Sequence, residues 1–201
     1  MPTKIFHIIP ASNFEFIRDQ VACIVKDELD RQAEYYEEED LTGEVFVERY
    51  TPIGIDEDNV ITVNSESCQF DDQTNTSQSN EIHFNIDVFA NAKQTSTMDG
   101  YKASSLKMQR VCGLIRSILM NPEYLTLGFD PGFIWHRSVQ TIRFNRVMEE
   151  QDGSFSRMSR LDLLVKCSEE QQQATPRIAK GYDTQIKIEL TEKGYKLIKN
   201  K

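Results

Sequence analysis

Residues 81–122 change hydrophobic period part-way along, and that change limits the folds open to the whole chain. Ile82, Phe84, Ile86 and Val88 alternate with Glu81, His83, Asn85 and Asp87. A period of two over eight residues predicts a half-buried strand. After a polar run from Asn91 to Met98 the spacing lengthens to three and four: Ala103, Leu106, Arg110, Val111, Leu114, Ile115 and Ile118 form one stripe of a helix. Thr97 or Asp99 suits the helix start. Asn121-Pro122 stops it, because the residue before proline is pushed out of the helical region. A long amphipathic helix that follows a one-sided strand needs a sheet to cover, so the flanking segments must supply more strands.

Upstream, residues 1–10 read as a leading strand or arm closed by Pro10. Ser12 with Glu15 is a capping box, and Phe14, Ile17, Val21, Ile24 and Leu29 give a helical stripe to about Ala33. The acidic run Glu37–Asp40 reads as a solvated loop. Residues 45–50 alternate as a strand stopped by Pro52 and Gly54, and a second strand runs from Val60 toward Phe70. Between them, Asp56 to Asn59 is a carboxylate-rich turn that lacks the glycine and closing glutamate of a calcium loop. Asp71–Asn80 (DDQTNTSQSN) contains no apolar residue and reads as a polar loop, ordered only against a partner.

Downstream, Asp130-Pro131-Gly132 is a turn, and Phe133, Ile134 and Trp135 open a further strand that includes Ile142, Phe144, Arg146 and Met148. Asp152-Gly153 signals a hairpin, and its return strand carries Leu161, Leu163, Val165 and Cys167 on one face, opposite Arg160, Asp162 and Lys166. Ser168–Thr175 reads as a linker, Ile186, Ile188 and Leu190 as one more strand, and the end as a basic tail. Runs of strands with segregated helices predict an α+β fold, a mostly antiparallel sheet covered on one face by two helices, with extended arms and loops. Residues 1–170 form the main domain in this reading, with the polar loop 71–80 inside it. Residues 171–201 add a linker, a strand and a basic C-terminal arm.

Charge is unevenly placed. The formal net charge is −9, and residues 15–49 hold twelve acids against four bases, while Lys193–Lys201 carries four lysines and no acid. Oppositely charged extremities suit association between copies. The acidic balance argues against tight binding to a phosphate backbone. No apolar run reaches the roughly 18 residues of a membrane span, and Met1-Pro2-Thr3-Lys4 opens no apolar signal segment, so the expected site of synthesis is the cytoplasm.

Candidate chemistry is sparse. No phosphate-cradling glycine loop, Walker motif, zinc-protease helix or nucleophile elbow is present in the sequence. Cys23, Cys68, Cys112 and Cys167 have no zinc-site spacing. Cys23, Cys112 and Cys167 lie in apolar periodic segments, where cysteine acts as a small hydrophobe. His83, Asn85 and Asp87 form a polar row, but His83 and Asp87 stand roughly 13 Å apart along a strand, too far for a base and its orienting group. Trp135-His136-Arg137 is a candidate contact cluster. No residue is assigned a catalytic, cofactor-binding or metal-ligating role.

The layout resembles the tail-terminator and head–tail neck proteins of tailed bacteriophages. The segment that carries the resemblance is NEIHFNIDVFANAKQTSTMDGYKASSLKMQRVCGLIRSIL, Asn80–Leu119, in which a strand with an Ile-Asp-Val-like end leads through a polar loop into a long helix. NPEYLTLGF, a hairpin and the return strand SRLDLLVKC follow, so the likeness spans roughly Phe14–Glu170. It implies a non-enzymatic virion protein without cofactors that forms a closed ring, six- or twelve-fold, at the neck or tail end. Such a ring touches copies of itself and neighbouring portal, neck or tail-tube proteins, no membrane, and DNA only as it passes through. The competing expectations are a host or prophage protein-binding module and, behind it, a small α+β enzyme.

Overall fold

A computed structural model of the chain describes residues 11–49, 57, 59–72, 77–93, 95, 99–145, 150–151, 154–170, 186–191 and 194–199. They fall into two units, one within residues 8–171 and one to which residues 172–201 belong. The larger unit runs α1 (Asn13–Tyr36), β1 (Glu44–Val47), β2 (Val60–Asp72), β3 (Ser77–Lys93), α2 (Gly100–Leu119), β4 (Ile134–Asn145), β5 (Glu150–Gln151) and β6 (Ser154–Glu170). The fold is α+β, with the sheet mostly antiparallel: in the order β1-β2-β3-β6-β4 only β1 and β2 run parallel, and β5 pairs with the start of β6.

The predicted alternation sets the core. Ile82, Phe84, Ile86 and Val88 are fully buried, and so are Leu161, Leu163, Val165 and Cys167 beside them on β6. The register brings Phe84 opposite Leu163 and Ile86 opposite Leu161, while Val63 of β2 meets Ile86 from the other side. Both helices cover this face, α1 over β1 and β2, α2 over β3 and β6. The Glu15 carboxylate accepts the Ser12 N–H at 2.7 Å, closing the capping box. Asp99 caps α2 by accepting from the Tyr101 N–H, while Thr97 lies outside the described residues. The α2 stripe departs from expectation in its first half. Ser104 and Met108 face the core, whereas Leu106 is half exposed and Arg110 exposed.

Edge strand β4 stays in step with the core through two bulges. Ile134 pairs with Cys167, His136 with Lys166, Val139 with Leu163 and Thr141 with Asp162. Each extra residue reverses the facing order, so Ile134 and Arg137, three apart, both turn toward the helices, as do Val139 and Ile142. Between α2 and β4 the chain turns through Gly128 and Gly132, both at positive φ, the second as the predicted Asp130-Pro131-Gly132 turn requires. Near β1, a Cβ on Gly43 would collide with the Asn59 carbonyl oxygen, so that approach admits only glycine.

Several boundaries differ from the sequence expectation. Asp71, Asp72 and Ser77–Asn80 are not loop: they extend β2 and β3, with Phe70 opposite Asn80 and Asp71 opposite Ser79. Ser168–Glu170 is not linker but the end of β6, which pairs with Ser77–Ser79. In both places the ladder satisfies the backbone whatever the side chains, so polar residues continue strands that apolar ones began. Asn91–Lys93 likewise prolongs β3, and α1 runs on to Tyr36. Cys23 is exposed rather than core, because it lies about 200° round α1 from buried Val21 and Val25. In the second unit the expected strand is β7 (Ile186–Thr191). It pairs antiparallel with β8 (Gly194–Lys199), so the expected basic arm contains a hairpin strand. The leading segment 1–10, the linker beyond Glu170, Arg146, Met148 and Asp152-Gly153 lie outside the described residues.

Candidate interaction surfaces

The face of the sheet opposite the helices is a lattice of polar side chains in register. Arg160 grips Asp87 with two hydrogen bonds, at 2.7 and 2.8 Å, directly across β3 and β6. Asp162 accepts from Arg143 at 2.9 Å and from Thr141. Asn85 donates to Glu66. Glu81 accepts from Lys166 and lies 3.4 Å from His83, and its carboxyl is held below the usual range by these two partners, Lys166 first. The row His83, Asn85, Asp87 therefore has three separate sets of partners and no shared reacting point. Asn85 and Asp87 tie β3 to β2 and β6, while His83 meets Glu81 on its own strand.

Trp135-His136-Arg137 is split by the first β4 bulge. Trp135 is 55% exposed, with the Lys166 ammonium 5.8 Å from its ring centre. Arg137 is buried and turned the other way. Its guanidinium donates to the Leu119 carbonyl, to Asn121 O at 2.6 Å and to Leu125 O at 3.2 Å. Those are carbonyls at and just beyond the end of α2, where the helix leaves acceptors unpaired and its dipole is negative. Burial lowers the Arg137 pKa from its ordinary value, yet the group serves as the C-terminal clamp of α2. The cluster is thus one exposed aromatic beside a structural arginine.

The two helices carry opposite charge. They run antiparallel, because Lys107 meets Asp40 at 2.8 Å, Arg110 lies over the Tyr36 ring, and Tyr124, just past α2, donates to Glu28 at 2.5 Å. Gly100–Leu119 contains Lys102, Lys107, Arg110 and Arg116 and no acid, while Asn13–Tyr36 contains six acids and three bases. Within α1 and the turn after it, Asp19, Asp27, Asp30, Glu34, Glu37, Glu38 and Asp40 are exposed. Asp30 is engaged by Lys26 at 2.5 Å and by Thr42. Burial pushes the Glu28 carboxyl up, but the hydrogen bonds from Arg31 and Tyr124 outweigh it and leave its pKa lowered. Tyr124, held by Glu28 and by burial, is pushed up to about 12.

The expected charge pair set residues 15–49 against the last nine. The acidic half of it is exposed on α1, and the side chains of the tail lie outside the described residues. The basic face of α2 is the part missed by counting charge along the chain; counting it helix by helix would have found it.

A cleft of about 510 Å³ opens between α1 and the start of β2, lined by Lys26, Asp30, Asp40, Asn59 and Lys107 among others. Its lysines are paired with its acids: Lys26 with Asp30, Lys107 with Asp40. Asn59, 1% exposed, donates to the carbonyls of Asp40 and Thr42 at 2.6 and 2.8 Å, pinning this corner to β2. Among the described residues no group of His, Cys, Asp and Glu is arranged to hold a metal ion, and no helix is long and apolar enough to cross a membrane. Comparison with known proteins finds no family model and no curated relative that matches the chain.

Proposed function

We propose that the protein is a structural subunit of a tailed-bacteriophage virion. In this reading it forms a closed homo-oligomeric ring at the head–tail neck or tail end, where it joins or terminates the tail and lets DNA pass. Its work is done by surfaces rather than by a reaction, and its partners are its own copies and the adjoining neck, portal or tail-tube proteins.

The observation that carries the proposal is the order of elements through Asn80–Leu119 and beyond. Strand β3, with Ile86-Asp87-Val88, leads into α2, and a turn, β4 and the return strand β6 complete the sheet under it. That is the sequence of parts implied by the resemblance to tail terminators. The partner-paired polar lattice and the salt-bridged cleft fit the same reading, since their charged groups are already committed to one another. A ring of this kind closes by repeating a heterologous contact about an axis.

Negative-stain imaging together with mass photometry of the purified chain, alone and with candidate neck and tail proteins, tests it. Annular particles of a single closed mass are the expected result. A monomer under every one of those conditions overturns the ring and favours the binding module.

A further inference from the structure

We infer that neighbouring copies join by strand addition: the outer edge of β2, from Cys68 to Asp72, takes the lysine-rich strand β8 of the next copy. This rests on the ring reading and specifies its contact. Among the described residues, β1 is the one strand beside β2 on the side away from β3, and it covers Val60–Val63 alone. Glu48 closes that stretch, donating its N–H to the Val63 carbonyl and accepting the Ser65 N–H on its carboxylate at 2.7 Å. Beyond it β2 goes on pairing with β3 as far as Asp72, with no described strand on its other side.

The register shows which backbone groups are left. Val63 turns its carbonyl toward β1, so Asn64 bonds to its partner Asn85 on β3. β3 itself runs without interruption, so His83, Glu81 and Ser79 also face β2. The bulge between Ser65 and Ser67 shifts the alternation on β2 by one residue. Ser67, Gln69 and Asp71 therefore bond to β3, while Cys68, Phe70 and Asp72 direct N–H and C=O outward. Glu66, Ser67, Gln69, Phe70 and Asp71 are exposed, Phe70 at 52%. Edge β4 is broken by two bulges, whereas β2 is regular from Ser67 to Asp72. A straight open edge of this kind is a template for another strand.

Charge selects the occupant. Residues 64–72 hold Glu66, Asp71 and Asp72 and no base, and β6 ends in Glu169-Glu170 across β3. Two such edges would repel each other, whereas a basic strand is drawn in. Lys193–Lys201 holds four lysines and no acid, and β8 (Gly194–Lys199) lies within it. β8 pairs with β7 along one side, and among the described residues its other side carries no strand. A strand given by one copy and an edge offered by the next are different surfaces. The contact is therefore heterologous and can repeat around an axis.

Two full-length variants each block one side of the contact. Phe70→Pro removes an outward N–H, which an edge strand tolerates, and Leu197→Pro interrupts β8. Each alone is expected to stay monomeric in sedimentation velocity at concentrations where the unmodified protein forms rings. Mixed in equal amounts they should form a dimer and nothing larger, because one edge and one strand remain. Misfolded variants cannot produce that result. Asp71→Lys with Asp72→Lys leaves the backbone intact and should weaken assembly about 10-fold at low salt. Rings that survive in either proline variant overturn strand addition and leave the ring standing. So do variants that keep the unmodified circular dichroism yet stay monomeric when mixed. Should a proline variant unfold, the lysine pair decides, and unchanged association overturns the contact. Absence of any ring from the unmodified protein removes both proposals.

Discussion

Strand β3 has two faces built by opposite chemistry. Toward the helices it presents Ile82, Phe84, Ile86 and Val88, all fully buried. Toward the other side it presents His83, Asn85 and Asp87, each tied to a neighbour on its own or the next strand. The first face contributes through loss of apolar surface to water, which needs no particular partner. The second contributes through the cross-strand pairs of Asn85 and Asp87, which hold only in one register, since a one-residue slip sends every side chain to the wrong face. One face supplies most of the free energy, and the other helps to select the alignment.

Removing groups from each side should separate these roles, beginning with the apolar one. Phe84→Ala leaves a cavity between β3 and the helices and is expected to cost about 3–5 kcal/mol, seen as a lower urea midpoint with an unchanged slope. Arg137→Ala comes next. It strips the carbonyls of Leu119, Asn121 and Leu125 of a charged donor, for an expected loss of about 2–3 kcal/mol, and Arg137→Lys should restore part of it. On the polar face, Arg160→Ala leaves the Asp87 carboxylate buried without its bidentate partner. Because Arg160 is itself 35% exposed, solvent screening holds the expected loss to about 1–2 kcal/mol. Equal losses at Phe84 and Arg160 in the same titration would erase the contrast between the faces.

Two smaller effects sharpen it. Glu28 has a lowered pKa in the folded protein, so its contribution is present above the ordinary glutamate value of about 4.3 and is lost as pH falls through the depressed one. Tyr124 has a raised one, so its contribution holds below about 10 and is lost as pH rises toward about 12. Tyr124→Phe should therefore flatten both limbs of a stability–pH curve measured by thermal melting. The smallest effect is chemical access. Cys23 should react with a thiol reagent in the folded state, while Cys112 and Cys167, pushed by burial up to about 11 and about 12, should react only on unfolding.

Legibility in the sequence followed the same division. Apolar alternation at 82–88 and 161–167, the Ser12 capping box and the Asn121-Pro122 stop are local signals, and each appears where its pattern places it. The polar ends of β2, β3 and β6 were illegible because backbone pairing, not side-chain type, prolongs them. Leu106 and Met108 exchanged roles because the stripe on α2 could be drawn through either residue until the sheet fixed which side faced inward. Arg137 gave no warning, since its partners are main-chain carbonyls 12 to 18 residues away. The charge contrast between α1 and α2 was available in composition but became a surface only once the helices lay side by side.

The paired bulges of β4 have a consequence for how copies can accumulate. A regular outer strand offers a straight row of amides and carbonyls that another chain can extend, which is the route to open-ended fibres. Two interruptions within twelve residues add local twist and break the even spacing of that row. Growth by sheet extension is disfavoured at this margin.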